Sequence, residues 1–391
     1  MGQFYVLYLL LLLLVIFLAW GIKEWHGHIR NLKSIPIRII VNGTRGKSSV
    51  TRLIAAGLRA GGYNVFAKTT GTKPRMIINN ETETPVIRLG RANIHEQISM
   101  IKKAVREKMN AVVFENMSLR PDLQYIEESR IIQPNLVVIT NVRADHLDVM
   151  GPTLNDIVRA FINAVPKNSR IVTGEKELFD RIKESAAQKS IPVDQSHEED
   201  IDEKEMGNFP YLEHRENVAL ALAVCRRLGV DERTARKGIY SSRPDPGALR
   251  KYDLVIDGKA VALYNALAAN DPDSTYLIYE RLGKPRKNIH VLVNCRDDRI
   301  DRSLQMAELI QKKIPADGYF ICGRNTKPLI RRAIGRGVPK DKLIDLEGAG
   351  PNEIFRIIGQ RVRDRSILLA IGNIVGYGED LINYFVAQGT R

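Results

Sequence analysis

The chain has little cysteine. Its three thiols in 391 residues, Cys225, Cys295 and Cys322, lie far apart without metal-ligand spacing. That pattern excludes a disulfide framework and fits a reducing compartment. Acidic residues are nearly missing from one stretch. From Lys23 to Arg75 there are eleven Lys/Arg (Lys23, Arg30, Lys33, Arg38, Arg45, Lys47, Arg52, Arg59, Lys68, Lys73, Arg75) against Glu24 alone. No zinc finger, basic zipper or aromatic RNA-binding signature accompanies this charge, so nucleic acid is not an expected partner. The net charge of +14 points instead to lipid headgroups, nucleotide phosphates or a polyanionic substrate, with about half of the basic residues forming an ordinary solvated face.

Charge is also missing from Phe4 to Trp20, an unbroken apolar or aromatic run. At about 1.5 Å per helical residue, such a run nearly crosses a hydrocarbon core. A cleaved signal would carry basic residues ahead of it and a small-residue cleavage site behind it. Here Met1-Gly2-Gln3 precede the run, while Lys23, Arg30 and Lys33 follow. The expectation is one transmembrane helix within 1–22, then a short polar linker over 23–35. The positive-inside rule puts the N-terminus outside the cell membrane and the rest of the chain in the cytoplasm.

Beyond the linker, buried-type apolar runs alternate with helical patterns. Ile37–Val41, Ala111–Phe114, Leu136–Ile139 and Ile171–Thr173 read as parallel strands. An acidic stretch, Asp194 to Glu205, reads as a solvated loop. A helix from about Leu212 to Leu228 ends at Gly229, a common residue just past a helix end. Arg243-Pro244-Asp245-Pro246-Gly247 reads as an interdomain linker. The alternation then restarts at Val261–Tyr264, His290–Val293, Gly318–Ile321 and Ile367–Ile371. The fold class expected is α/β, with two units each built on a mostly parallel sheet covered by helices.

Between the first strand and the helix predicted over about Ser48 to Ala60 stands Asn42-Gly43-Thr44-Arg45-Gly46-Lys47-Ser48-Ser49. Gly43 and Gly46 let the backbone take positive φ and approach a ligand closely. Strand, turn and helix N-terminus then aim free N–H groups and the positive helix end at one anion. Lys47 can reach β/γ-phosphates and the Ser48 hydroxyl can ligate Mg²⁺. The spacing is G-x-x-G-K-S, shorter than the full Walker motif.

A Mg²⁺ ion needs more ligands than one hydroxyl. Glu115 ends the strand Ala-Val-Val-Phe-Glu, and Thr140-Asn141-Val142-Arg143-Ala144-Asp145-His146-Leu147-Asp148 follows Leu136–Ile139. Both lie at strand ends, where open α/β sheets bind ligands. Taken singly, Glu115 reads as a helix N-terminal carboxylate, Asp145 or Asp148 as a turn or cap, and His146 as an ordinary loop histidine.

Together, G-T-R-G-K-S, F-E-N-M-S around Glu115 and T-N-V-R-A-D-H-L-D resemble the Mur ligase superfamily. Within it, the N-terminal anchor, Thr69-Thr70-Gly71-Thr72, V-M-G-P-T-L (Val149–Leu154), P-D-P-G-A-L-R (Pro244–Arg250), A-A-N-D (Ala268–Asp271) and N-C-R-D-D-R-I-D-R (Asn294–Arg302) resemble the ligase subunit of poly-γ-glutamate synthase, the PgsB/CapB family. The resemblance implies a P-loop-type central domain over 36–243 and a smaller Rossmann-like ligase domain over 244–391. It implies ATP on Gly43, Thr44, Arg45, Gly46, Lys47, Ser48 and Ser49. Asn217 would meet the adenine, Asp298 the ribose and Arg250 a phosphate. Ser48, Glu115 and His146 would hold metal, and Lys47, Glu115 and His146 would serve catalysis.

Departures from the peptidoglycan ligases accompany the resemblance. An anchor stands where those enzymes carry a UDP-sugar domain, Ala160 falls about where their carbamylated lysine belongs, and Asn270 replaces the histidine of their third domain. The activity implied is ATP-dependent amide ligation, glutamate being added to a growing poly-γ-glutamate chain through an acyl phosphate for capsule or secreted polymer. Lys68, Lys73 and Arg75 are expected to contact substrate carboxylates, and Asn270 is expected at the substrate site with them. Implied partners are glutamate and its polymer, the membrane and other membrane subunits, with homo-oligomerisation left open. Three rivals stand beside this reading: a Mur-like ligase for another acidic amino acid, a membrane-tethered NTPase that energises or regulates polymer export, and a basic membrane protein that binds nucleic acid.

Overall fold

The structure, a computed structural model, describes residues 2–71, 74–78, 82–88, 90, 92–145, 147–209, 211, 213–244, 249–267, 272–282, 288–297, 300–374 and 377–389. The chain divides into two compact units, one built from residues up to Phe209 together with Glu213–Arg243, the other chiefly from Pro244–Arg391.

The first unit opens with helix α1 (Gly2–Lys33). Its segment from Phe4 to Trp20 is exposed throughout its large apolar side chains, and the helix from Phe4 to Lys33 is long and apolar enough to cross a membrane. The 23–35 segment differs from the linker expected. The helix runs unbroken to Lys33, because its last turns have a core to join. Leu32 and Ile35 are buried with Ile94, Ile101 and Ile131, and His28 Nε2 lies 2.7 Å from the Ile131 carbonyl.

Strand β1 (Ile37–Asn42) leads through the glycine turn into α2 (Lys47–Ala60). Then follow β2 (Val65–Thr69), β3 (Arg75–Ile77), β4 (Glu83–Pro85), α3 (Glu96–Arg106), β5 (Ala111–Glu115), α4 (Pro121–Tyr125) and a π-helical stretch, Ile126–Ile132. The unit continues with β6 (Leu136–Ile139), α5 (Leu147–Met150), α6 (Leu154–Ala164), β7 (Arg170–Thr173), α7 (Phe179–Ala187), β8 (Val193–Gln195), α8 (Arg215–Arg227) and α9 (Glu232–Tyr240). The sheet order is β4-β3-β2-β5-β1-β6-β7-β8, parallel from β2 to β8, with β3 and β4 antiparallel at one edge. Ile39, Ile40 and Val41 of β1 are buried on both faces, as a central parallel strand requires. Register sets Val41 opposite Glu115 on one side and Asn42 opposite Ile139 on the other. The carboxyl ends of β5, β1 and β6 therefore meet where the strand order reverses, the usual ligand position of such sheets.

Two sequence expectations change here. The acidic stretch, Asp194 to Glu205, expected as a solvated loop, carries short 3-10 turns and a set of ion pairs. Arg170 pairs with Asp194, Lys176 with Glu198 and Glu199, Arg226 with Asp200, Arg215 with Glu203 and Arg236 with Glu205. Most of these pairs are exposed, so they fix a path more than they stabilise the fold. The basic stretch is also less available to anions than its composition suggests. Arg38 donates to the carbonyls of Gln133, Leu32 and Ile35. Arg59 donates to those of Val65 and Ile77, and Arg52 pairs with Glu83.

The second unit begins with an antiparallel pair, β9 (Arg250–Ile256) and β10 (Lys259–Asn265). Asp257 and Gly258 turn between them with φ of 51° and 74°, the Asp-Gly hairpin chemistry. After these come α10 (Pro272–Arg281), β11 (Ile289–Cys295), α11 (Ile300–Lys312), β12 (Gly318–Gly323), α12 (Lys327–Gly335), β13 (Leu343–Glu347), α13 (Pro351–Arg361), β14 (Ser366–Gly372) and α14 (Tyr377–Gly389). The sheet order is β13-β12-β11-β14-β10-β9, parallel apart from β9. Alternate residues of β11 feed two cores, Val291 and Val293 on one face and Leu292 on the other. Both units have the α/β architecture expected, with mostly parallel sheets.

Candidate active site

The glycine turn is shaped by what it touches. Gly43 has φ 123°, and a Cβ there would stand 2.2 Å from Thr140 Oγ1. Gly46, at φ 80°, precedes α2, and its Cβ would stand 2.8 Å from Asn217 Oδ1. Glycine is therefore required twice, for backbone angle and for space. The segment after β6 laces the turn from one side. Thr44 N donates to Asn141 O at 3.0 Å, and Arg45 N to Asn141 Oδ1 at 3.0 Å. Thr140 Oγ1 donates to Arg45 O at 2.6 Å, and Arg143 N to Thr44 Oγ1 at 3.0 Å. Arg45 also pairs with Asp145 at 2.9 Å.

Lys47 opens α2, and its Nζ donates to Gly43 O at 2.7 Å, curling the ammonium over the mouth of the turn. Desolvation lowers its pKa and the nearby Glu115 carboxylate opposes that shift. The first turn of α2 carries no acid and Gly46 offers no side-chain cap. Its positive end is thus left for an anion.

Glu115, almost fully buried at the end of β5, accepts from Ser48 Oγ at 2.8 Å and from Thr70 N at 2.7 Å through the same oxygen, Oε2. The two strand-end and helix-start groups expected to share a metal are thus side by side. Among the described residues no group of three or more His, Cys, Asp and Glu could hold a metal. A hydroxyl and one carboxylate suit Mg²⁺, which keeps water and phosphate oxygens in its shell, and do not suit a caged ion such as zinc. His146, the third expected ligand, lies outside the described residues.

Asn217, on α8, is buried against Gly46 and donates from Nδ2 to Glu213 Oε1 at 2.8 Å. Ser49 is half-buried in the first turn of α2. Arg250 belongs to the second unit, as the first residue of β9 opposite Asn265. Asp298, Lys73 and Asn270 lie outside the described residues.

Lys68 is placed differently from the expectation of a substrate contact. It has no exposed surface, and its ammonium pairs with Glu96 at 2.6 Å and donates to Gln97 Oε1 at 2.9 Å. Burial lowers its pKa and Glu96 opposes the shift. Burial would raise Glu96, yet hydrogen bonds from Arg88 and Lys68 hold it below the ordinary range. A charge so enclosed is committed to its carboxylate, because exposing it would leave Glu96 partly unpaired. Arg75 sits half-buried on β3, its backbone N–H donating to Thr69 Oγ1 at 3.3 Å. Sequence reasoning gave no individual role to Asn42, Thr70, Asn116, Thr140 and Asn141, although each stands within a motif it singled out. The only signal for them was their place beside the motif residues.

A glycine turn, a lysine at a helix start and a strand-end carboxylate meet at the sheet's switch point, the arrangement expected of a phosphate-binding site. Residues 41–222 match the Mur ligase middle domain, and residues 252–388 match the poly-γ-glutamate synthase CapB C-terminal domain. The chain is 36% identical over 381 residues to the PGA synthase CapB of Bacillus subtilis (strain 168), covering 96% of this chain and 97% of that one. It is 38% identical over 379 residues to the capsule biosynthesis protein CapB of Bacillus anthracis, covering 96% and 82%. Its fold is that of the Yersinia pestis bifunctional folylpolyglutamate synthase/dihydrofolate synthase complexed with AMPPNP and Mn ion, with a TM-score of 0.65, 16% identity and 92% of each chain covered. The class is therefore the ATP-dependent, carbon–nitrogen bond-forming ligases. The chain belongs to the poly-γ-glutamate synthase CapB family.

Proposed function

We propose that this chain uses ATP to join glutamate units into poly-γ-glutamate, working at the cytoplasmic face of a membrane that α1 crosses with its N-terminus outside. The observation that carries the reading is the Ser48–Glu115 contact of 2.8 Å beside Lys47, at the end of strands that also bear the Gly43 cradle.

The glycine turn and the open start of α2 bind the ATP phosphates, and Lys47 neutralises the charge that builds on the phosphoryl group in transfer. Ser48, Glu115 and His146 would hold Mg²⁺, which when bound supplies further neutralisation of phosphate charge. Asn217, which lies against Gly46, is proposed to meet the adenine, and Asp298 and Arg250 of the second unit are proposed for ribose and phosphate. The γ-phosphoryl group passes to a glutamate carboxylate, releasing ADP. The amine of the incoming glutamate then attacks the acyl phosphate, an amide forms as inorganic phosphate leaves, and the amine gives up a proton. Other membrane subunits are proposed to carry the polymer onward, since this chain has a single candidate span among its described residues.

Labelled glutamate incorporated by membranes containing the full chain tests the reading. Incorporation that requires ATP, and that Lys47→Ala and Glu115→Ala each abolish, is expected. ATP turnover indifferent to glutamate, with no amide product, would replace the ligase with an export NTPase. A preference for a different acid in a substrate panel would keep the ligase and change its substrate. For the anchor, deletion of residues 2–22 is expected to move the chain to the soluble fraction. A truncated chain that stays with membranes would refute the anchor.

A further inference from the structure

Behind the phosphate turn lies a buried polar group that the reaction scheme leaves unused. The helix after α4 opens into π-helical turns over Ile126–Ile132, and within them two consecutive glutamates, Glu127 and Glu128, have no exposed surface. Neighbours on an α-helix point about 100° apart, so burying both acids favours a widened turn, and such π-turns recur at functional sites.

Glu128 Oε1 accepts from Asn42 Nδ2 at 2.7 Å and from Asn116 Nδ2 at 2.9 Å, while Oε2 is buried without a hydrogen-bond partner. Asn42 directly precedes the glycine turn, and its Oδ1 receives Gly43 N at 2.7 Å. Asn116 directly follows Glu115, and its backbone N–H donates to Val41 O at 2.9 Å. Glu127 holds the next residue, accepting from Met117 N at 3.1 Å, and takes Gln97 Nε2 at 2.7 Å.

We infer that Glu128 is a positioning residue of the nucleotide site, tying the residue before the phosphate turn to the residue after Glu115 so that turn and carboxylate keep one spacing. Stability alone does not account for it. A fully buried carboxyl with one unpartnered oxygen costs more than a well-packed apolar residue in the same space. Rule-breaking of this kind is expected where function requires it. Catalysis supplies such a requirement, because a displacement of about 1 Å between reacting partners costs on the order of a hundredfold in rate.

The inference rests on the nucleotide-binding part of the proposed function, so its test reads ATP binding without any need for glutamate. The full chain in detergent is titrated with a fluorescent ATP analogue with and without Mg²⁺, and its melting temperature is recorded in parallel. Glu128→Ala is expected to lose the gain in affinity that Mg²⁺ brings, roughly tenfold or more. Glu128→Gln, whose amide oxygen accepts the same two bonds, is expected to keep it. Asn116→Ala is expected to lose the Mg²⁺ gain while keeping metal-free affinity. Asn42→Ala is expected to lose metal-free affinity first. These two variants carry the test if Glu128→Ala does not fold. Variants that melt lower yet bind ATP with wild-type Mg²⁺ dependence overturn the positioning role and leave the ligase reading intact. A wild-type chain that binds no nucleotide overturns both.

Discussion

Ser48 Oγ lies 2.8 Å from Glu115 Oε2, joining the first turn of α2 to the end of β5 across 67 positions of chain. Groups that meet in this way act as a unit, so their losses should not add. Glu115→Gln is expected to lower kcat on the order of a hundred- to a thousandfold, Ser48→Ala less, and the double variant no more than Glu115→Gln alone. Kinetics across a Mg²⁺ titration check this. Additive losses would show that the two side chains serve separate steps.

Gly43 and Gly62 make a matched pair, since both have positive φ but only Gly43 is crowded. Nothing stands within 4 Å of a Cβ at Gly62, whereas Thr140 Oγ1 stands 2.2 Å from one at Gly43. Gly62→Ala is expected to cost about 1 kcal/mol and leave nucleotide affinity alone. Gly43→Ala is expected to cost about 1–3 kcal/mol and to abolish ATP binding as the turn is pushed off Thr140. Melting curves and nucleotide titrations of both variants separate the two effects.

Lys68 and Arg75 were expected at the substrate, and Lys68 offers the sharper trial. Lys68→Ala is expected to destabilise the first unit by about 3 kcal/mol, the low end for a broken buried pair because Arg88 still holds Glu96. That corresponds to a fall in melting temperature of roughly 6–12 °C. The KM for glutamate of the folded enzyme should stay within about twofold of wild type. A large rise in KM with an unchanged melting temperature would restore the substrate contact.

Glu128 makes stability depend on pH. Burial, aided by repulsion from Glu127, pushes its carboxyl from 4.5 up to about 8. Between those values the folded chain keeps a proton that the unfolded chain has released, so stability falls as pH rises across that window and levels off above it. Glu127, raised to about 6 chiefly by burial, acts in the same sense over the lower part. The difference in melting temperature between wild type and Glu128→Gln, followed from pH 5 to 8, is expected to shift steadily against wild type. A constant difference would show that Glu128 is already ionised at pH 5.

The α/β pattern and the shape of the glycine turn at the candidate site are legible because both are local. Ile39–Val41 shows its burial in its own residues, and Gly43, Gly46, Lys47 and Ser48 occupy one turn whose angles and charge follow from residue type. The β9–β10 hairpin is equally legible at Asp257-Gly258, whose two residues suit a tight turn. The far end of α1 is less legible, because Lys23, Arg30 and Lys33 mask the apolar positions Ile29 and Leu32 that dock it.

By itself the sequence determined that a glycine turn between a buried strand and a helix offers a cradle for phosphate, and that an apolar run precedes it. Only the tertiary structure decided which distant side chains complete or surround that cradle. It set Glu115 on Ser48, enclosed Lys68 with Glu96 and turned Glu128 inward between Asn42 and Asn116. The reason is physical. Backbone angles and local charge depend on neighbours in the chain, whereas the partner of a buried charge depends on strand order and register, which bring together residues that no local pattern connects.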